Sequence, residues 1–257
     1  MRCRITLLCL LIMVVLAGCH KTEPEPTEVE ITRSQISIME GTLYETTVYT
    51  LTTNVDGPRV VFVGGLHGDE IAGWNVALDL LDYSFTKGSY LIIPQASILA
   101  CQLEKRYPGQ GNNGLYEGVT YSDLNRTFPG SATGNPTERI AHAIIEVVTA
   151  FDPDIIVDLH ESRDSYTGGY LGDSIIYCNV KTALFALEMT ERMNELYITA
   201  FDTPFHVENS APAGSFNNYC SQTFDALVMT FETNRKLVLS QRLDQQLALI
   251  EILLSKI

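Results

Sequence analysis

Four short segments carry residue types that can do chemistry together. The first is Gly64-Gly65-Leu66-His67-Gly68-Asp69-Glu70. Its glycines let the chain turn sharply off the apolar run before it. His67 and Glu70, three apart, point the same way if a helix begins there. An imidazole nitrogen and a carboxylate oxygen suit zinc, although a glutamate at a helix start also simply favours the helix dipole. The second is Asp158-Leu159-His160-Glu161-Ser162. His160 follows a strongly apolar run, where a lone histidine reads more readily as a hydrogen-bonded core or edge residue. The third is Thr230-Phe231-Glu232-Thr233, again at the end of an apolar run. A carboxylate there has little packing reason to exist, since burying an unpaired charge is costly. The fourth, Asp123-Leu124-Asn125-Arg126-Thr127-Phe128-Pro129-Gly130, offers an amide beside a forked guanidinium. That combination suits a carboxylate, and an Asp–Arg pair that merely holds a loop explains it as readily.

The elements around these segments decide between such readings. Thr46 to Thr53 reads as a strand with mixed faces. Apolar runs of strand length follow at Arg59–Val63, Tyr90–Ile93, Ile155–Val157, Ser174–Cys178 and Ala226–Met229. Near-continuous apolar strands imply burial on both faces. Helical stretches alternate with them. Asn135-Pro136-Thr137-Glu138 is a helix start with a capping residue, a first-turn proline and a first-turn acid, and Ile140, Ile144, Val147 and Val148 follow on one face. Residues 181–197 form another stretch, and the last runs from about Ser240 with Leu243, Leu247, Ile250 and Leu254 at helical spacing. The expected fold is α/β, a mixed, largely parallel sheet with helices on both faces. Residues 101–134 and 203–222 show no periodicity, and long structureless loops in a compact domain are usually functional or disordered.

Taken together, His67–Glu70, His160 and Glu232 all follow the carboxyl ends of apolar strands, the edge where open α/β sheets gather their ligands. Parallel strands would bring them to one rim. Two histidines and one glutamate leave a fourth position for water, the pattern of a catalytic rather than a structural zinc, with one ion per chain.

GGLHGDE at 64–70, DLNRTFPG at 123–130, DLHES at 158–162 and FET at 231–233 lie in this order over about two-thirds of the chain. In them the sequence resembles the zinc carboxypeptidase superfamily, and most of all its succinylglutamate desuccinylase/aspartoacylase-like branch. The resemblance implies a zinc carboxypeptidase-like fold in which His67, Glu70 and His160 bind Zn(2+). It implies that Asp123 accepts the second ring N–H of His67 and that Asn125 and Arg126 bind a substrate carboxylate. Glu232 is then the general base and, afterwards, the proton donor to the leaving amine. Related enzymes carry a further arginine that stabilises the oxyanion. Arg106 is the arginine between the Tyr90–Ile93 run and Asp123, at a longer spacing from Asn125 than in aspartoacylases.

The amino end reads as an export signal. Arg2 and Arg4 precede the uncharged run Ile5–Ala17, of secretory length and short for a permanent bilayer span. Leu16-Ala17-Gly18-Cys19 resembles the bacterial lipoprotein cleavage motif, which implies a signal peptide over 1–18 and lipid on Cys19. Residues 19–35 are then the lipidated cysteine and a charged, proline-bearing tether, and 36–257 a single hydrolase domain. The expected localisation is exported and lipid-anchored at a bacterial cell membrane. A formal charge of −14 argues against nucleic acid as partner. Past Cys19 the cysteines are Cys101, Cys178 and Cys220, whose spacing fits no zinc ribbon; they read as one disulfide and a spare, or as three buried thiols. The functional expectation is a zinc-dependent hydrolase of an amide bond in a substrate with a free carboxylate. That substrate is a peptide, a cell-wall peptide or an N-acyl amino acid. The alternative is a carboxylate- or peptide-binding lipoprotein without turnover.

Overall fold

A computed structural model of the chain describes residues 28–109, 113–166, 169–201 and 204–257. The proposed signal and Cys19 lie outside the described residues. Ten strands are β1 (Ile31–Ile38), β2 (Thr46–Thr53), β3 (Arg59–Gly64), β4 (Ser89–Ile93), β5 (Asn113–Tyr116), β6 (Val119–Ser122), β7 (Ile155–Ser162), β8 (Ser174–Tyr177), β9 (His206–Glu208) and β10 (Leu227–Asn234). Six helices are α1 (Ile71–Asp79), α2 (Ile98–Gln102), α3 (Pro136–Phe151), α4 (Val180–Phe201), α5 (Phe216–Thr223) and α6 (Leu239–Lys256). Eight strands form one sheet in the order β1-β2-β4-β3-β7-β10-β8-β9. Its centre is parallel, with β4, β3, β7 and β10 side by side, while β1, β2 and β8 join antiparallel. The expected mixed sheet with helices on both faces is what the chain builds.

Alternation along the strands sorts side chains between two cores. One face carries Val60, Phe62, Ile155, Val157, Leu159, Met229 and Phe231 against α1, α4 and α6. The other carries Val61, Val63, Ile156 and Val228 against α3 and α5. α3 begins as its sequence predicts: the Asn135 side chain accepts from Glu138 N–H, Glu138 accepts from Asn135 N–H, and Pro136 opens the first turn. It ends at Asp152 in the left-handed region (φ 53°).

Three elements depart from the expectation. The tether expected to reach residue 35 gives way to sheet at Ile31. β1 is an edge strand with mostly exposed polar side chains, so it has no apolar alternation to reveal it. The stretch 101–134 contains the end of α2 and the β5–β6 hairpin, turned by Glu117 and Gly118, both at positive φ; four-residue strands are too short to show a period. The stretch 203–222 holds β9 and α5, capped by the Ser215 side chain on Asn218 N–H. α5 is a polar helix that buries Phe216, Asn217 and Cys220. Among the described residues no disulfide forms: Cys101 and Cys220 are buried thiols and Cys178 is half-buried.

α1 lies directly on the backbone of β7. A Cβ on Gly73 would sit 2.5 Å from the Leu159 carbonyl oxygen. Alanine normally favours a helix over glycine by about 1 kcal/mol, but the clash should outweigh that gain. Gly73→Ala is expected to destabilise the protein by about 1–3 kcal/mol, measured as a fall in the urea midpoint. An unchanged or raised midpoint would show that α1 is free to stand off the sheet.

Candidate active site

The parallel centre of the sheet assembles the site. β7 and β10 pair in parallel with His160 opposite Glu232 and Asp158 opposite Thr230. These positions alternate with Leu159 and Phe231, so all four side chains leave the sheet on the α3/α5 face. Glu161, one residue on, points to the other face, where it accepts from Ala72 N–H at the start of α1 (2.9 Å) and from Arg242 of α6 (2.6 Å).

β3 delivers the remaining residues through a turn rather than a helix. α1 begins only at Ile71, after Glu70, and Glu70 N–H donates to His67 O at 3.4 Å. Gly65 (φ 70°) starts this turn, and a Cβ on Gly68 would strike the backbone of Ala100. His67 and Glu70 converge as the sequence implied, but through a compact turn packed on α2.

Glu70 is the centre of the cluster. Its Oε1 lies 2.8 Å from His67 Nδ1 and accepts from Arg106 at 2.8 Å. Its Oε2 lies 2.5 Å from His160 Nδ1 and accepts from Glu161 N–H at 3.0 Å. His67, Glu70 and His160 are each only 3% exposed, and one donor atom from each lies within 4.8 Å of the others. Burial opposes ionisation of Glu70, yet the charges and hydrogen bonds of His67 and His160 together hold it well below the usual carboxylate range. Burial likewise opposes a charged His160, but the carboxylates of Asp158 and Glu70 raise it well above the ordinary imidazole value. A buried carboxylate that draws in two imidazoles and a guanidinium is a site built for positive charge. Both Nδ1 atoms face Glu70 with their Nε2 atoms anchored behind, so the donor set fits a metal ion.

Asp123 stands where the resemblance implied. Its Oδ1 lies 3.0 Å from His67 Nε2 and accepts from Asn125 N–H at 2.9 Å, and its Oδ2 accepts from Tyr107 OH at 3.1 Å. The carboxylate is therefore spent on the site and not on Arg126. Burial works against the charge, but His67 and the arginines overcome it and bring Asp123 down to about 2. Arg106 is in the site, its Nε donating to Tyr107 OH. Asn125 lines the cavity with its amide engaged at both ends: Oδ1 accepts from Phe216 N–H at 2.8 Å and Nδ2 lies 3.1 Å from His160 Nε2. Arg126 is exposed at the cavity and donates to Asn125 O.

Glu232 is buried with Oε2 unpartnered. Burial, with Glu70 and Asp158 adding to it, raises its carboxyl from 4.5 to about 8 against the opposing pull of His160 and Arg106. It shares a cavity of about 280 Å³ with His67, Glu70, Arg106, Asn125, Arg126 and His160. That volume suits a small substrate. The sequence reading passed over three contributors. Asp158, 1% exposed, lies 2.9 Å from His160 Nε2; its place two residues before His160 on one strand could have revealed it. Arg163 lines the cavity from the loop after β7, and Tyr107 holds Asp123. Tyr107 lies in a stretch without a periodic signal, while Arg163 directly follows the Asp158–Ser162 segment.

A family model described as the succinylglutamate desuccinylase/aspartoacylase catalytic domain matches residues 56–257. Among curated proteins, N-alpha-acetyl-L-2,4-diaminobutyric acid deacetylase of Halomonas elongata is 33% identical over 109 residues, 41% of this chain and 29% of that protein. Among solved structures, the apo cell shape determinant Csd4 of Helicobacter pylori aligns with a TM-score of 0.66 at 18% identity, over 89% of this chain and 54% of that one. An aspartoacylase family protein of Mesorhizobium loti aligns at 0.60 and 20% identity, over 87% of this chain and 67% of that one. The structural likenesses establish the shared fold, and the chain spans well under two-thirds of the first two relatives.

Glu232 links the site to stability. In the metal-free chain its folded value near 8 stands above the ordinary 4.5. Its contribution is therefore fully present below pH 4.5 and lost as pH rises through 8. Between pH 5 and 8.5 the melting temperature of the metal-free wild type should fall more than that of Glu232→Gln. Parallel curves would show that the Glu232 carboxyl titrates normally.

Proposed function

The chain belongs to the succinylglutamate desuccinylase/aspartoacylase family, and from that membership we propose that it is a zinc-dependent hydrolase of an amide bond in a substrate with a free carboxylate. The observation that carries the reading is the unpartnered Glu232 carboxyl facing the same cavity as the buried His67–Glu70–His160 cluster. His67, Glu70 and His160 would hold the ion. When bound, zinc supplies a Lewis acid for the amide carbonyl and for the attacking water.

The protein's own groups do the rest. With positive charge restored beside it, Glu232 favours the carboxylate and takes a proton from water as the oxygen attacks the amide carbon. It passes that proton to the leaving nitrogen as the C–N bond breaks, which yields a carboxylate and an amine. A value brought near the working pH serves both transfers. Arg106 places a guanidinium at the cavity wall for the oxyanion. Arg126 and Arg163 line the cavity and form no salt bridge among the described residues, which supports recognition of the free carboxylate. Asn125 would join them only by giving up His160 or Phe216. Csd4 of Helicobacter pylori is a D,L-carboxypeptidase, and the curated relative from Halomonas elongata is a deacetylase. We favour a carboxypeptidase-like cut of a peptide over removal of a small acyl group, on the expected export. Binding without turnover is the alternative, and an intact Glu232 argues against it.

Glu232→Gln keeps the side chain's shape without its proton transfer. It should retain zinc by elemental analysis and lose about 10²–10⁴ in turnover against a panel of short peptides and N-acyl amino acids; near-normal turnover would remove Glu232 from the mechanism. For carboxylate recognition, the best substrate and its C-terminal amide should differ in kcat/KM. Because Arg126 is exposed, solvent weakens the pair, and the gap should be about tenfold, shrinking in Arg126→Met. Equal cleavage of acid and amide by the wild type would refute carboxylate reading and leave the zinc site standing.

A further inference from the structure

Two carboxylates stand behind the two histidines, and only one is hydrogen-bonded. Asp123 serves His67 Nε2 and Tyr107. Asp158 brings Oδ2 to 2.9 Å from His160 Nε2, yet neither of its oxygens makes a hydrogen bond. A buried carboxylate in this condition is costly. Packing gives no reason for it, since Ile156 and Val228 on the same face are aliphatic and belong to the core.

The ring hydrogen of His160 supplies the reason. His160 Nδ1 lies 2.5 Å from Glu70 Oε2, a carboxylate oxygen that can only accept, so in the metal-free chain Nδ1 carries a hydrogen. The Asn125 amide Nδ2 lies 3.1 Å from Nε2. The amide's orientation is set, because Oδ1 accepts from Phe216 N–H and leaves Nδ2 facing the ring. Once Nδ1 gives its lone pair to a metal ion, the one hydrogen of the neutral imidazole must sit on Nε2. It then meets an amide nitrogen that has no lone pair to offer. The acceptor within reach is Asp158 Oδ2, 2.9 Å from Nε2.

We propose that Asp158 is a positioning residue for metal binding: its carboxylate accepts the Nε2 hydrogen of His160 and so selects the tautomer whose Nδ1 is free for the metal. This rests on His160 being a metal ligand, as proposed above. It makes the two histidines equivalent, each backed by a carboxylate, and it gives the unpaired Asp158 its function.

The test is zinc affinity of the full chain by chelator competition in the wild type, Asp158→Ala and Asp158→Asn, with melting temperatures of the metal-free proteins. Asp158→Ala should bind zinc about 10–100-fold more weakly. Asp158→Asn, whose carbonyl oxygen still accepts, should recover part of the loss. The melting temperatures show that the metal-free variants remain folded. A merely structural Asp158 would leave zinc affinity unchanged in the folded variants, with nothing for asparagine to rescue. Nitrogen-15 spectra should show the His160 hydrogen on Nε2 and none on Nδ1 in the zinc-loaded wild type. Zinc affinity within about twofold of wild type in both variants would overturn the proposal and leave the metal assignment intact. A wild type that binds no zinc would overturn both.

Discussion

The buried carboxylate of Glu70 is the constraint around which the rest of the site is arranged. A charge this far from water must be compensated, and the compensation comes from three separate parts of the chain: His67 from the turn after β3, His160 and the Glu161 amide from β7, and Arg106 from the loop after α2. Each partner is in turn held by something else, Asp123 for His67 and the Gln246 side chain for the His160 carbonyl. Satisfying one glutamate therefore ties the sheet, both helical layers and the long loop into one network.

That network depends on strand register. The side-chain period of a strand is two, so a slip of one residue in β7 or β10 would send His160 or Glu232 to the α6 face. The paired apolar positions on either side prevent it, because Leu159 and Phe231 fill one core while Ile156 and Val228 fill the other. The chemistry is thus aligned by packing on both faces of the sheet. Glu161 shows the same rule from the opposite side, where it takes up the first turn of α1 and Arg242.

The segment that carries Asp123 and Asn125 anchors Leu124 and Phe128 in the core on the α3/α5 face. Polar contacts then tie it to the site: Tyr107 on Asp123, Asp123 on His67, and Asn125 between His160 and the start of α5. The cavity is walled by this loop on one side and the segment after β7 on the other, which is where residues that read a substrate belong.

Much of this was legible in the sequence because it rests on local rules. Apolar runs of strand length exposed the parallel centre, Asn135-Pro136-Thr137-Glu138 exposed the start of α3, and His67, Glu70, His160 and Glu232 stood out as polar residues at the ends of buried strands. β1 and α5 were not legible, since an exposed edge strand and a polar helix carry no apolar period. The engagement of Asn125, the pairing of Arg106 with Glu70 and the isolation of Asp158 are contacts between residues tens of positions apart. Spacing along the chain names such residues at most. Which atom of Asn125 faces His160, and which carboxylate is left without a hydrogen, was decided only when α5, the long loop and β7 packed together, because a hydrogen bond depends on direction and distance that no local pattern encodes.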